Sequence, residues 1–598
     1  MLATLLAALL FGQIQTAKAP NIILIVTDDL GARDLGFTGS TFHKTPHLDK
    51  LASESAVFTK AYSACPVCSP SRAGILTGQN PARIHVTDWI PGQPSKPSQP
   101  LNRPDDLQAL PKGVVTLPKL LRERGYATFH VGKWHLGGNG SLPTDHGFDV
   151  NIAGDQAGSP RSYFAPYQSG NAGFMPGLEK APQGEYLTDR LNAESSRLIK
   201  KHITLDNSRP FFLYLSHFAP HTPLKAQENL IAKFPGKPTP GRQSNSIYAA
   251  MIAAIDDGVG RLRETLEQLG IDKETIIVFT SDNGGLCTTE GPNTPPTYNG
   301  PLREGKGYLY EGGIRVPLLI HAPKQGKPLQ NNQPVWGPDL TPTLAQLAGI
   351  KNVPSAVDGI SLVGSLQGVK EESTSRNLVW HYPHYSNQGG RPGGVWRDGP
   401  WKLIEFYDSG RKELFQLEKD PGESRNLALD EPKRVEAMAA RLKAWQSEAK
   451  VQMMRPNPNY LPNPAAKNGI ITLHGKTAEV TGAMLRFEPL PHKQTLGFWV
   501  VKEDAAWWEF TVDKPGEFQV EILQGCGNGS GGSVLEISIG GESLKHKVVE
   551  TGGFQEFRPF VVGNIKLETQ GRKRLDLKAL SKPGPAVGDV RQIRLIPR

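Results

Sequence analysis

The stretch Asn21-Ile22-Ile23-Leu24-Ile25-Val26-Thr27-Asp28-Asp29 decides how this chain is read. Ile22 to Val26 is apolar without interruption and rich in β-branched side chains. That is the composition of a strand buried on both faces. The run stops at two carboxylates. The same pattern returns three times further along. Tyr126 to Val131 runs into Gly132-Lys133-Trp134-His135, Phe211 to Leu215 into Ser216-His217, and Thr275 to Thr280 into Ser281-Asp282-Asn283-Gly284. Helix-like segments lie between them, at Leu117 to Arg124, Leu187 to Lys201 and Ser246 to Leu269. Strands alternating with helices predict an α/β fold with a mostly parallel central sheet. In such sheets a site forms beyond the carboxyl ends of the strands, where these polar residues sit.

At 598 residues the chain is too long for a single core. Residues 20–378 read as the principal α/β domain. From Val379 to Leu427 the texture changes to short strands in hairpin fashion, followed by a helix from Pro432 to Ala449. Residues 379–453 therefore read as a small α+β C-terminal subdomain. Residues 454–469, broken by Pro456, Pro458, Pro462 and Pro464, read as a linker. Residues 470–598 hold short strands separated by Gly-rich turns, which predicts an appended β-sandwich. Its last strand, Asp589 to Leu595, loosely resembles that of carbohydrate-binding modules. Trp507 and Trp508 are candidates for a sugar-stacking platform, with one of the pair expected in the core. Pro-rich and polar stretches at Ile90 to Asp106, Ser159 to Glu185 and Pro235 to Asn245 read as surface loops.

Formal net charge is +9, and two readings of it stay open. A basic surface attracts sulfated polymer, or it marks a mildly basic soluble protein. No dense Lys/Arg run suggests nucleic acid. Residues 1–19 read as a signal peptide, with an apolar run at Leu2 to Phe11 and an A-x-A-like site ending at Ala19. The run is too short to span a bilayer, and no later segment is long and apolar enough. Export to the periplasm or outside is the expectation. Cys65, Cys68, Cys287 and Cys526 do not make a disulfide framework. Cys65-Pro66-Val67-Cys68 has the C-x-x-C spacing, but a zinc site needs a second pair and none is present.

Cys68 stands in a different pattern: Cys68-Ser69-Pro70-Ser71-Arg72-Ala73-Gly74-Ile75-Leu76-Thr77-Gly78. Only Cys68, not Cys65, has Pro two and Arg four positions on. Asp28, Asp29, Asp282 and Asn283 offer hard oxygen donors, which suit Ca²⁺ or Mg²⁺ rather than zinc. Further motifs follow in order: Gly125-Tyr126-Ala127-Thr128-Phe129-His130-Val131-Gly132-Lys133-Trp134-His135-Leu136-Gly137, then Ala219-Pro220-His221-Thr222-Pro223-Leu224, then Lys306 and Tyr310-Glu311-Gly312-Gly313-Ile314-Arg315-Val316-Pro317.

Together these motifs resemble the type I, formylglycine-dependent sulfatases of the alkaline-phosphatase-like superfamily. The resemblance spans Asn21 to Leu427. It implies the fold of that superfamily and hydrolysis of sulfate esters. It implies that Cys68 is oxidised by a formylglycine-generating maturation enzyme, so that the hydrated aldehyde is the nucleophile. It implies calcium held by Asp28, Asp29, Asp282, Asn283 and the modified residue 68. Arg72 and Lys133 would hold the hydrate and the sulfate, and His135 would take a proton from the hydrate. His221 matches the leaving-group acid, with His217 as a second candidate. Lys306 matches the lysine that contacts sulfate, with Arg303 as its competitor. Export and the possible sugar module point to a sulfated glycan as substrate. A phosphomonoester or phosphonate hydrolase of the same superfamily, and a catalytically silent glycan-binding protein, are the alternatives.

Overall fold

The computed structural model describes residues 19–598, apart from residues 171, 172, 238, 240, 355 and 370–375. The expected signal peptide falls outside the described residues except for Ala19. Among the described residues, no helix is long and apolar enough to cross a membrane.

The principal sheet is eight-stranded among the described residues. Its strands in chain order are β1 (Asn21–Thr27), β2 (Ala56–Phe58), β3 (Ala127–Gly132), β4 (Val150–Ile152), β5 (Phe211–Ser216), β6 (Thr275–Ser281), β7 (Leu318–His321) and β8 (Leu329–Asn331). Across the sheet they run β8-β2-β7-β6-β1-β5-β3-β4. The central run β6-β1-β5-β3-β4 is parallel throughout. Only β7 is antiparallel to its neighbours β2 and β6.

Helices cover both faces. On one side lie α1 (Pro46–Ser53), α4 (Leu187–Leu205) and α5 (Ser246–Gln268). On the other lie α2 (Cys68–Thr77), α3 (Leu117–Glu123) and α6 (Leu340–Leu347). This double cover explains the unbroken apolar run of β1. Successive side chains of a strand point to opposite faces. Ile23 and Ile25 enter the core beneath α4 and α5, while Ile22, Leu24 and Val26 enter the core beneath α2 and α6.

A second sheet is antiparallel: β9 (Asn377–Tyr382), β10 (Gly393–Asp398), β11 (Trp401–Phe406) and β12 (Lys412–Gln416). One face packs under α7 (Pro432–Glu448) through Leu403, Leu414, Met438 and Leu442. The other face packs on Val67, just ahead of α2, and on Tyr308 to Tyr310. Residues 455–457, at the start of the expected linker, are tied to the loop around residue 100. Arg455-Pro456 pairs with Leu101-Asn102, and Asn457 donates to the carbonyls of Lys96 (3.0 Å) and Gln99 (2.8 Å). The C-terminal strands form two antiparallel sheets that close on one core containing Trp499, Trp508 and Phe510. Trp508 is fully buried, and Trp507 lies beneath Arg574 at 4.2 Å, so the two rings do not make a shared platform.

The small sheet is fastened to the principal one by charge. Lys402 of β11 is fully buried between Glu311 (3.1 Å) and Glu423 (2.8 Å). Removing one partner of a buried ion group leaves an uncompensated charge, which costs about 3–5 kcal/mol. Lys402→Met is expected to lower the unfolding free energy by that order, whereas Lys412→Met at the sheet rim should change it by less than about 1 kcal/mol. Denaturant titration followed by tryptophan fluorescence measures both.

Candidate active site

β6, β1, β5 and β3 lie side by side and point the same way, so their carboxyl ends share one edge. Asp28 and Asp29 leave β1 there, Asp282 and Asn283 leave β6, and Lys133 and His135 follow β3. His217 and His221 follow β5. α2 brings Cys68 and Arg72 to the same place. Cys68 is its first residue, and Gly78 in the left-handed conformation ends it.

The chain pays locally for this convergence. Asp29 (φ 64°) and His135 (φ 56°) are both left-handed non-glycine residues. Such backbone costs about 1–3 kcal/mol and gathers at functional sites. Gly132 (φ 110°) lets β3 close on β5, since a Cβ there would meet the carbonyl oxygen of Ser216 at 1.8 Å.

The sequence-predicted residues meet. Ligand atoms of Asp28, Asp29, Cys68 and His221 lie within 4.8 Å of one another. The backbone N–H of Asp29 donates to Asp282 Oδ1 (3.2 Å), and Asn283 Nδ2 donates to Asp29 Oδ1 (2.8 Å). Three cations balance the three carboxylates. Arg72 Nε donates to Asp282 Oδ2 (2.8 Å), Lys133 Nζ to Asp28 Oδ2 (2.6 Å) and Lys306 Nζ to Asp29 Oδ2 (2.8 Å). Arg72 also donates to the hydroxyl of Ser216 and to the carbonyl of Lys133 (3.4 Å).

Burial sets the titration of these groups. Burial raises the Asp29 carboxyl, but Lys306 and His221 beside it outweigh that and bring it to about 2. Burial pushes Asp282 up to about 6, against the pull of Arg72. The Cys68 thiol is pushed up to about 12 by burial, which Lys133 and Lys306 only partly offset. As encoded, it is a poor nucleophile, because the thiolate is the reactive form.

Two buried oxygens of the cluster, Asp28 Oδ1 and Asn283 Oδ1, have no hydrogen-bond partner. Buried polar atoms are rarely left so, and an ion is one of the usual reasons. These donors are carboxylate and amide oxygens, which fit a hard divalent cation.

A cleft of about 370 Å³ opens above the cluster. Cys68, His135, His221 and Lys306 line its floor, while Arg72 and Lys133 lie behind it, fully buried against the carboxylates. His135 Nε2 sits 2.6 Å from the carbonyl oxygen of Ile90. A carbonyl only accepts, so Nε2 carries the proton and Nδ1 keeps its lone pair. Nδ1 is buried and unpartnered. In the same way the carbonyl of Thr222 fixes the proton of His221 on Nδ1 (2.5 Å), and Nε2 faces Lys306 Nζ at 3.0 Å. Burial, then Lys306, lowers His221 to about 4.

Geometry separates the pairs that the motifs left open. His217 is fully buried and neither of its ring nitrogens has a hydrogen-bond partner. Arg303 turns away from the cleft, stacks on Tyr310 at 3.8 Å and donates to the carbonyl of Glu423 (3.1 Å). The cleft walls are Trp89, Pro91, Gln156 to Ser159, Glu290, Asn387 and Gln388. Of these, the sequence reading marks the loops that hold Pro91 and Ser159. Glu290 and Trp89 carried no motif and no periodicity.

A floor of this kind, with an unprotonated imidazole nitrogen and clustered cations at the strand ends of a mostly parallel sheet, suits displacement at an anionic ester, the work of a hydrolase. The family model described as Sulfatase matches residues 20–350, and the chain belongs to that family. It is therefore a sulfuric ester hydrolase with the alkaline-phosphatase-like fold. Residues 305–452 match the C-terminal region of N-sulphoglucosamine sulphohydrolase, and residues 492–596 match a domain of unknown function. N-acetylgalactosamine-6-sulfatase of Mus musculus is 34% identical over 385 residues, covering 61% of this chain and 69% of that protein. A sulfatase of Formosa agariphila is 30% identical, covering 74% and 92%. The crystal structure of Ps i-CgsB in complex with k-i-k-neocarrahexaose is 32% identical, with a TM-score of 0.60, and covers 71% of this chain and 92% of that one.

One residue tests the placement of His135 from outside the cluster. A Cβ added at Gly158 would meet the His135 ring at 2.5 Å. Gly158→Ala should displace the ring and lower kcat by about 10²-fold, the scale of a misplaced catalytic group. Near-unchanged thermal unfolding would accompany that loss. Steady-state kinetics and calorimetry read the two effects separately.

Proposed function

We propose that this chain is an exported sulfatase that hydrolyses sulfate esters of a sulfated carbohydrate, using a formylglycine made from Cys68 and a calcium ion. The observation that carries this reading is the meeting of Cys68 with Asp28, Asp29 and His221 beneath an open cleft. The names of the relatives, an N-acetylgalactosamine-6-sulfatase and a protein solved with a neocarrahexaose, support the carbohydrate. When present, formylglycine supplies a hydroxyl nucleophile in place of the protonated thiol, and calcium held by Asp28, Asp29, Asp282 and Asn283 supplies positive charge for the sulfuryl oxygens.

The chain's own residues do the rest. His135 accepts a proton at Nδ1, the nitrogen that the Ile90 carbonyl leaves free. Lys306 neutralises a sulfuryl oxygen from the cleft floor. It also donates to His221 Nε2, so the proton for a leaving alkoxide comes from the Lys306–His221 pair. Arg72 and Lys133 act from behind, holding Asp282 and Asp28 in place. Burial of Cys68, 2% exposed, means that the maturation enzyme must meet this segment before the fold closes.

Co-expression with a formylglycine-generating enzyme should convert the Cys68 peptide from thiol to aldehyde or its hydrate, read by mass spectrometry. Cys68→Ala should lose at least about a thousandfold in sulfate release, the scale of removing a nucleophile, while its unfolding is unchanged. A fully active protein with an unmodified Cys68 would overturn the reading. In the matured enzyme, His135→Ala should cost about 10²–10⁴-fold in kcat.

A further inference from the structure

The walls of the cleft differ in charge from its floor. Among the described residues whose side chains line it above Lys306 and the two histidines, only Glu290 is charged. The others are Trp89, Ile90, Pro91, Gln156, Ala157, Ser159, Asn387 and Gln388, apolar or neutral polar groups. Arginines near these segments are already bound. Arg161 holds Asp155 (2.5 Å), Arg103 holds Asp106 (2.6 Å) and Arg391 holds Asp408 (2.9 Å). None of the three lines the cleft.

Glu290 is held in position from two sides. Gln388 Nε2 donates to one carboxylate oxygen (2.8 Å), and Asn387 Nδ2 lies 3.4 Å from the other. Its charge reaches the floor, where it acts on both Lys306 and His221. An ionised carboxylate only accepts hydrogen bonds, and each oxygen keeps capacity beyond one donor. Glu290 can therefore take the O–H groups of a sugar ring whose sulfate lies on Lys306. It repels a second anion placed on that ring. Trp89, half-buried, also lines the cleft, and an indole there can pack on the C–H groups of a sugar ring.

We propose that Glu290 is a specificity-determining residue, which restricts the cleft to a neutral sugar ring bearing a single sulfate and unsubstituted neighbouring hydroxyls. Uronates and rings with a second sulfate beside the first are disfavoured by charge. This rests on the reading of the chain as a carbohydrate sulfatase. Discrimination arises from both sides. The hydroxyl partner is rewarded, and the competing anion meets a like charge on a wall whose described lining carries no cation, the nearest one, Lys306, being taken up by Asp29 and the first sulfate.

The test uses the matured full chain and a panel of methyl hexopyranoside monosulfates of the galacto and gluco series, each paired with its vicinal disulfate. Sulfate release gives kcat/KM for each. The wild type should prefer its best monosulfate over the disulfated counterpart by at least about tenfold. Glu290→Gln, isosteric and able to keep its amide neighbours, should lower the monosulfate value about tenfold and narrow the ratio to about threefold or less. Equal wild-type turnover of the pair, or a variant that leaves the ratio where it was, overturns the role of Glu290. A wild type that cleaves 4-nitrophenyl sulfate but no member of the panel overturns the carbohydrate reading itself, and this proposal with it.

Discussion

Three carboxylates cannot share a dry site without compensation. β1 and β6 are in register, with Thr27 beside Ser281, so Asp28, Asp29 and Asp282 leave the sheet side by side. At such spacing and low local dielectric, their repulsion would drive protonation or open the site. The compensating cations come from three separate parts of the chain: Arg72 from α2, Lys133 from the end of β3, and Lys306 from the loop after Asn299. Strand order, the seat of α2 and the path of that loop are thus joined in one electrostatic condition. The loop is in turn fixed five residues later, where Glu311 meets Lys402 and the hydroxyl of Tyr62 (2.7 Å).

How far this was legible in the sequence depends on the kind of constraint. The apolar run of β1 told of a covered sheet because both faces must be filled, and a two-sided strand has no other composition. The acidic and basic groups were legible because strand ends in parallel sheets converge. The same logic says nothing of the order in which residues leave a strand and bend back. His217 and His221 both follow β5, and only the turn through Phe218 to Pro220 places one in the core and the other on the cleft floor. Arg303 and Lys306, three positions apart in an irregular loop, also face opposite ways.

The cleft walls were least legible. Glu290 is placed by Gln388, 98 positions away, and no local pattern encodes a side-chain bond at that separation. Net charge is silent about the cleft for a related reason. A surplus of +9 leaves open a basic surface that attracts sulfated polymer and a mildly basic soluble protein. Yet the cations closest to the chemistry are used inside, against Asp28, Asp29 and Asp282, and the wall carries a carboxylate. Net charge describes the whole surface and its long-range steering. What a ligand in the cleft meets at contact distance is set by a few residues, and here those are amides, an indole and an acid.

The C-terminal sandwich belongs to the same chain of contacts. Arg391, which follows Gln388 by three residues, binds both Asp408 of the small sheet and Glu479 of the sandwich. Arg486 of the sandwich donates to the carbonyl of Ser424 (3.0 Å), and Asn426 N–H to that of Ala483 (2.9 Å). Glu423, the residue before Ser424, closes the buried group around Lys402 and accepts from the backbone N–H of Glu311 (2.7 Å). A path of direct polar contacts therefore runs from the sandwich to the loop that carries Lys306. Trp508 fills the sandwich core and Trp507 lies under Arg574, so the exposed aromatic pair that would mark a sugar-stacking surface is not formed. What the sandwich visibly supplies to the catalytic part is support for two segments at the cleft, residues 386–391 and 303–311, one carrying the amides that hold Glu290 and the other carrying Lys306.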